Sequence, residues 1–147
     1  MIFSIVLSRT PKSANAEGRR LVNYQKRMAD DANARYKSAA VVGDRLYIRI
    51  VCFARKKGGP DVDNIIKPIV DALKGIVYKD DSLISQCLSI RIDLEKPYKV
   101  SNDNISDDDY QELVDTINLG GENVLYIEVG NTISQQVVFG PIDGGAR

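Results

Sequence analysis

The chain alternates apolar and polar residues over several short stretches, a pattern typical of β-strands that are buried on one face. The clearest stretch is 45–54, in which every second residue is apolar: Leu46, Ile48, Ile50 and Cys52. Residues 83–94 also resemble a strand and alternate in their later half, from Leu88 to Leu94, and shorter apolar runs cover 2–7, 76–78 and 123–129. These stretches predict a small β-sheet.

Two longer stretches have helical spacing. Between residues 17 and 38, apolar residues recur every three or four positions and basic residues flank them, which predicts an amphipathic helix. A second helix is predicted from about Asn64 to Gly75, in which Pro68 implies a late start or a local kink. A polar stripe with the spacing i, i+4, i+8 and i+11 is formed by Asp63, Lys67, Asp71 and Lys74. On a helix, this spacing would direct Lys67 toward Asp63.

A third, shorter helix is predicted after Ser106. Serine is a favourable N-cap, three aspartates follow it at 107–109, and Gly120 provides a stop. Acidic side chains in the first turn interact favourably with the helix dipole. This segment therefore predicts a short acidic helix.

Together, these elements predict an α/β (α+β) protein with a small mixed β-sheet, two main helices and the short acidic helix. At 147 residues and 44% hydrophobic content, the chain suits a single domain, 1–147, with a core of about residues 2–130. The acidic helix belongs to an insert of about residues 97–121. The glycine-rich residues from about 138 to 147 are expected to form a flexible tail.

Composition narrows the chemistry. The chain has no histidine, so carboxylates must carry any acid-base or metal chemistry. Its two cysteines, Cys52 and Cys87, lie in strand-like runs and are expected to be reduced core thiols rather than zinc ligands or a disulfide. The apolar start at residues 1–7 is too short to span a bilayer and has no basic region before it. We therefore expect a soluble cytoplasmic protein that does not bind membranes.

The formal net charge of zero conceals a strong asymmetry. Residues 1–58 contain 13 Lys+Arg and 4 Asp+Glu, a net charge of +9, whereas residues 59–147 contain 7 and 16, a net charge of −9. One basic and one acidic surface would suit a protein that binds phosphates and also holds cations. Alternatively, the two halves interleave in the fold and the asymmetry disappears.

The segment 58–81 concentrates the candidate chemistry. Asp61 and Asp63 are two residues apart, so in an extended backbone both side chains would project from the same edge. Two carboxylates that close repel each other unless one binds a proton or a cation lies between them, and a hard divalent ion is the simpler solution. A basic loop of Arg55, Lys56 and Lys57 comes directly before them.

Each of these features also has a purely structural interpretation. Asp61, Asp63 or Asn64 could cap a helix, and the charged stripe could be a solvated ladder of ion pairs. Asp80 and Asp81 could form a plain turn, and the basic loop could simply be solvated. Capping accounts for one of the three residues at 61, 63 and 64, but not for all of them.

Other acidic and phosphate-binding motifs are excluded. A calcium-binding EF-hand loop that began at Asp61 would need glycine and glutamate where the chain has Ile66 and Ala72. The chain has no Walker A loop and no Rossmann fingerprint, so we expect no nucleotide cofactor. What remains is a magnesium site made of aspartates, with Lys67 stabilising developing charge or orienting water, which describes phosphodiester hydrolysis.

The same residues resemble a known family. The segment from Pro60 to Gly75, followed by residues 77–81, is similar to the signature of the RusA family of Holliday-junction resolvases (crossover junction endodeoxyribonucleases). That signature reads Asp-x-Asp-Asn-x-x-Lys, then Asp-Ala-Leu, then an Asp-Asp pair. The resemblance implies a RusA-like fold and a small homodimeric endonuclease that nicks four-way DNA junctions in recombination and repair. Many members are phage-derived.

Position by position, the resemblance implies a role for each motif residue. Asp61, Asp63 and Asp81 would bind Mg²⁺, for which Mn²⁺ could substitute, and Lys67 would be the catalytic cation. The basic loop Arg55, Lys56 and Lys57 would contact DNA phosphates. Whether Asp80 also binds metal stays open.

The acidic insert departs from the family's pattern. Acidic residues between about 103 and 115 have no counterpart in the compact members, and they would weaken DNA binding unless they point away from DNA or serve another partner. Two alternatives to a junction resolvase therefore stay open. One is a nuclease for flaps, forks or single strands on the same scaffold, and the other is a DNA-binding protein without catalysis.

Overall fold

The computed structural model describes residues 1–132 and 139–140. Its elements, in chain order, are β1 (Phe3–Leu7), α1 (Arg19–Arg35), β2 (Leu46–Ala54), α2 (Ile66–Leu73), β3 (Ile84–Asp93), α3 (Asp107–Asn118) and β4 (Asn123–Asn131). A short 3-10 turn, Asp81–Leu83, precedes β3. Most of the tail predicted at residues 138–147 lies outside the described residues.

The four strands form one mixed sheet in the order β1-β4-β2-β3. β4 is antiparallel to both β1 and β2, whereas β2 and β3 are parallel and are connected through α2. The predicted α+β class with a mixed sheet and three helices is therefore confirmed.

The sheet is covered on both faces. β2 alternates as predicted, and its residues Leu46, Ile48 and Ile50 belong to the cluster that also contains the buried residues of α1 and α2. On the other face, Phe53 belongs to a second cluster with Leu113 and Ile117 of α3. The two main helices thus lie on one side of the sheet and the acidic helix lies on the other.

α2 starts late, as one of the two interpretations of Pro68 required. The helix begins at Ile66, so Pro68 lies in the first turn, where the missing N–H is tolerated. Gly75 follows the helix with a φ of 81°, a conformation that glycine adopts without strain.

Two sequence-based expectations were wrong. Residues 76–78 form a turn with only isolated bridges, because Val77 and Tyr78 are buried against the core rather than paired in the sheet. Cys87 is exposed, since β3 is an edge strand and its first half is only partly covered. Cys52 is a buried free thiol, as expected.

Polar contacts connect α3 to β1 and α1. Asp109 is 6% exposed and accepts hydrogen bonds from Ser4 Oγ at 2.7 Å and from Arg35 Nη2 at 2.8 Å. Ser106 caps the helix through its hydroxyl, which accepts from the Asp109 amide, as its sequence position predicted. Across the ranges that the structure describes, no helix is long and apolar enough to cross a membrane.

Candidate active site

The candidate site lies in the connection from β2 to β3. The basic loop follows the carboxyl end of β2, residues 62–65 form turns, and α2 then leads back to the start of β3. Because β2 and β3 are parallel, the carboxyl end of β3 reaches the same edge of the sheet, with Ala54 paired to Asp93. Side chains from the loop and from the end of β3 can therefore meet.

They meet around an open cavity of about 550 Å³. Both carboxylates of the predicted pair, Asp61 and Asp63, line it together with Lys56 and Lys57 of the basic loop. β3 adds a further carboxylate and a further cation, Asp93 and Arg91. The cavity thus contains three acidic and three basic side chains.

Arg91 and Asp93 were missed as site residues in the sequence. Their only signal was their position on the polar side of an alternating strand, and the parallel pairing of β2 with β3 is needed to place them beside Asp61. Arg91 Nη2 donates to the carbonyl oxygens of Lys56 at 3.0 Å and Gly58 at 2.6 Å. Arg91 therefore holds the loop that forms one wall of the cavity.

The loop has two further structural determinants. Gly58 and Gly59 have φ values of 96° and 92°, a region in which L side chains are strained. Ser89 Oγ donates to the carbonyl of Val62 at 2.6 Å, which fixes the turn between the two aspartates to β3. The glycines allow the tight turn, and β3 fixes its position.

Helix capping does not explain the aspartate pair. The N-cap of α2 is Ile65, and no side chain caps the helix. Within the described part of the chain, neither Asp61 nor Asp63 forms a salt bridge with a lysine or arginine. Two carboxylates that share a cavity without a cationic partner favour binding of a cation there.

Lys67 does not point toward Asp63, contrary to the helical spacing argument. Its Nζ donates to Asp71 Oδ1 at 2.6 Å and lies 3.9 Å from Asp81 Oδ2. The reason is that α2 begins only at Ile66, so Asp63 lies in the preceding turn and is not one helical turn away. The hydrogen bond to Asp71, followed by the charge of Asp81, raises the pKa of Lys67, which therefore stays protonated.

The second aspartate pair has divided roles. Asp81 accepts a hydrogen bond from Lys74 Nζ at 3.2 Å and is not among the residues that line the cavity. Asp80 accepts from the Ser82 amide at 2.9 Å and caps the 3-10 turn. Hydrogen bonds from Ser82, assisted by Lys74, lower the pKa of Asp80 to about 2. Asp80 thus has the turn-forming role that was considered for the pair.

Two of the three cations in the basic loop already contact protein groups at or just after the acidic insert. The Arg55 guanidinium donates to the carbonyls of Ile117 and, at 3.0 Å, Gly121, at the end of α3. Lys56 Nζ lies 2.6 Å from Glu122, which raises the pKa of Lys56. Lys57, which lines the cavity, has no carboxylate within 4.0 Å among residues 1–132 and 139–140. Of the three predicted DNA contacts, Arg55 is thus turned toward protein.

The aspartates of the motif form only part of a metal site. Within the described residues, no three His, Cys, Asp or Glu side chains form a group that could hold a metal ion. The predicted set is not brought together, because Asp61 and Asp63 line the cavity whereas Asp81 contacts Lys74. The pair alone still fits Mg²⁺, which uses one or two carboxylates and fills its remaining positions with water and substrate phosphate.

Fold and site together define a small α+β protein with a carboxylate pair in an open cavity bordered by cations. The model of the family described as endodeoxyribonuclease RusA matches residues 8–103, about two thirds of the chain. The chain therefore belongs to the RusA endodeoxyribonuclease family. A comparison with curated proteins found no match.

Family membership supports several coarser statements. RusA-family proteins are nucleases that resolve Holliday junctions, so membership supports nuclease activity on branched DNA. The nucleases of this family generally depend on a divalent metal ion. The matched range contains the whole motif from Asp61 to Asp81 and ends inside the acidic insert.

Proposed function

We propose that this protein is a Mg²⁺-dependent endonuclease that resolves Holliday junctions by paired hydrolysis of phosphodiester bonds in DNA recombination and repair. The observation that carries the proposal is the cavity in which Asp61 and Asp63 face Lys56, Lys57 and Arg91 without forming salt bridges with them. Carboxylates can hold the cation there while the lysines attract the phosphates on either side.

Each side chain then has a defined task. Asp61 and Asp63 would hold Mg²⁺, for which Mn²⁺ could substitute. Asp81 lies near Lys67 and Lys74 and does not line the cavity, so only the family signature supports it as a third ligand. The bound ion supplies Lewis-acid stabilisation of the phosphate and a more acidic water. Lys67, kept protonated by its carboxylate neighbours, stabilises the negative charge that develops during hydrolysis. Lys57 contacts the DNA backbone, with Lys56 beside it.

The proposal includes a homodimer. A Holliday junction has two-fold symmetry, so two nicks on opposite strands require two sites related by a two-fold axis. One chain offers one Asp61–Asp63 cavity in its described residues. Pairing two copies places two such cavities on one junction.

The test is cleavage of labelled four-way, forked and linear duplex DNA of matched arm sequence in the presence of Mg²⁺. We expect paired nicks in the four-way DNA and little cutting of the duplex. Asp63→Asn should abolish cleavage while leaving DNA binding in place. Asp44→Asn is the matched control, because Asp44 is an exposed aspartate in a turn remote in sequence from the motif.

The outcomes separate the alternatives. Equal cutting of forks and four-way junctions would replace the resolvase by a general branched-DNA nuclease. Binding without cleavage under any divalent ion would favour a non-catalytic DNA-binding protein. Full activity of Asp63→Asn would show that the cavity is not the active site.

A further inference from the structure

A second cavity lies on the N-terminal half of α1. It has a volume of about 330 Å³ and lies between α1 and the loop that joins β1 to α1. Four of its seven lining residues are cations and the other three are polar; they are Arg9, Lys12, Arg20, Arg27, Thr10, Asn23 and Tyr24. None of the acidic residues in the described part of the chain lines the cavity. Its composition is therefore the opposite of the mixed lining around Asp61 and Asp63.

Two of the lining residues have buried polar atoms that donate to no acceptor among the described residues. These atoms are the hydroxyl oxygen of Tyr24 and Nη1 of Arg9. Tyr24 is only 5% exposed, and Arg9 uses its other terminal nitrogen, Nη2, to bind Asp31 at 2.6 Å. Buried polar groups are nearly always satisfied, so two unsatisfied donors that line one cavity indicate a missing acceptor.

The positive charges around these donors favour an anion as the acceptor. Lys12, Arg20 and Arg27 have no carboxylate within 4.0 Å in the described part of the chain, so their charges are available. Burial raises the pKa of Tyr24 to about 12, which keeps its hydroxyl protonated and able to donate. A tetrahedral phosphate offers several acceptor oxygens and suits a fork of arginine donors better than a single carboxylate does.

The position of the cavity suggests which phosphate it takes. The loop that provides Arg9 and Lys12 also contains Ala14, whose amide donates to the carbonyl of Asn64 at 2.7 Å. Asn64 follows Asp63 directly, so the basic cavity and the candidate active site share a support. This connection favours a neighbouring phosphate of the same DNA strand as the occupant of the basic cavity.

We propose that this basic cavity binds a backbone phosphate of the DNA substrate, separate from the phosphate that is cleaved. Only the assignment of the occupant to substrate DNA depends on the proposed function. The ordinary alternative is that the cations are solvated and attract DNA only through their total charge.

The test compares neighbouring cations on one helix. Arg27→Gln and Lys26→Gln each remove one positive charge from an exposed side chain of α1, but only Arg27 lines the cavity. Binding of four-way DNA is measured without divalent ions, so that no cleavage occurs. We expect Arg27→Gln to weaken binding about tenfold and to reduce the salt slope by about 1, and Lys26→Gln to change binding less than about twofold. Equal effects of the two variants would overturn the proposal.

Tyr24→Phe provides a second, independent measurement. It removes only the hydroxyl, which donates to no acceptor among the described residues, so the melting temperature should change little, whereas DNA binding should weaken about threefold. Unchanged DNA affinity would contradict a phosphate contact at this atom.

Titration with inorganic phosphate, followed by NMR, distinguishes the sources of the anion. Shifts at the Arg9 and Tyr24 signals that disappear in Arg27→Gln, together with weakened DNA binding, support the proposal. The same shifts with unchanged DNA binding would show a site for a free anion and would overturn it. Because none of these measurements requires cleavage, a protein that fails to cut junctions can still confirm or refute this cavity.

Discussion

The side chain of Lys67 is positioned by two carboxylates, Asp71 and Asp81. Its Nζ lies 2.6 Å from Asp71, one turn along α2, and 3.9 Å from Asp81, at the start of the 3-10 turn that precedes β3. Its protonated amino group is therefore held near Asp81, one of the proposed metal ligands. This geometry suits a residue that neutralises charge better than one that accepts a proton.

Lys67→Ala should lower the rate of junction cleavage about 100-fold or more while leaving DNA binding nearly unchanged, because a charge-stabilising group is lost. Lys79→Ala is the matched control, since Lys79 is an exposed lysine on the same connection. Single-turnover cleavage and binding of labelled junctions measure the two effects separately. Undiminished turnover in Lys67→Ala would remove Lys67 from the catalytic set.

Asp80 should titrate far below an ordinary aspartate. Its pKa is lowered from 3.8 to about 2 in the folded protein, so its contribution to stability is complete above pH 3.8 and disappears as the pH falls through about 2. Carboxyl-carbon NMR of Asp80 between pH 5 and pH 2 measures this directly. A midpoint near 3.8 would show that the Ser82 cap does not persist in solution.

At the scale of elements, β3 acts as the support of the candidate site. Ser89 fixes the Val62 carbonyl, and Arg91 fixes the carbonyls of Lys56 and Gly58. The edge strand β3 therefore determines where residues 56–62 lie, although it contributes few residues to the core.

Arg91→Ala should destabilise the protein by about 1 kcal/mol, since it removes two partly exposed hydrogen bonds, and should also reduce the cleavage rate. Lys99→Ala, which removes an exposed cation beyond the same strand, is the control. Urea unfolding and cleavage kinetics measure the two effects. A fully active Arg91→Ala variant would mean that the loop keeps its position without Arg91.

The acidic helix is attached through Asp109. Asp109→Ala should cost about 2 kcal/mol in the free energy of unfolding, because Ser4 and Arg35 lose their shared acceptor. Asp108→Ala is the control. Asp108 lies in the same first turn but is exposed, so both variants lose a similar interaction with the helix dipole and only Asp109→Ala loses the buried contacts. Equal melting temperatures for the two variants would contradict this role of Asp109.

The sequence predicted the features that depend on local pattern. The alternation of β2 and the Ser106 cap follow from spacing along a short segment. Asp61 and Asp63 line one cavity, but through turns at 62–65 rather than through the extended backbone that the spacing argument assumed. The sequence did not predict contacts made by distant parts of the chain. Nothing local distinguishes Asp109 from its two acidic neighbours, because its partner Arg35 is 74 residues away.

The same reason explains the errors at the site. The position of Lys67 depends on where α2 begins, and the helix starts at Ile66 rather than near Asn64, which leaves Asp63 in the preceding turn. The roles of Arg91 and Asp93 depend on the parallel pairing of β2 and β3, which no residue pattern specifies by itself. Predictions from periodicity are thus reliable within an element and weak across elements.

At the scale of the whole molecule, the two oppositely charged halves of the chain interact in part. Arg35, Arg49 and Lys56 form ion pairs with acidic residues of the second half, namely Asp109, Glu112, Glu128 and Glu122. The cations around Tyr24 remain concentrated on the N-terminal half of α1 and the loop that precedes it. The asymmetry is therefore reduced by folding but is not abolished.

We expect the protein to be a dimer in solution, with a mass twice the 16.3 kDa of one chain. Sedimentation analysis over a range of protein concentrations measures this. The two cavities of a dimer should make cleavage of the two opposed strands nearly simultaneous, which a supercoiled cruciform substrate can report. Paired cuts made by a monomeric protein would show that junction resolution does not require a dimer.

The position of β4 between β1 and β2 has a consequence for folding. Among residues 1–132 and 139–140, β1 pairs only with β4, and residue 3 faces residue 129, so β1 has no strand partner until β4 has been synthesised. Closing so long a loop is entropically costly and slows folding. A nascent chain that already contains the motif from Asp61 to Asp81 therefore still lacks the central strand, and the sheet that supports the site forms only once β4 has been made.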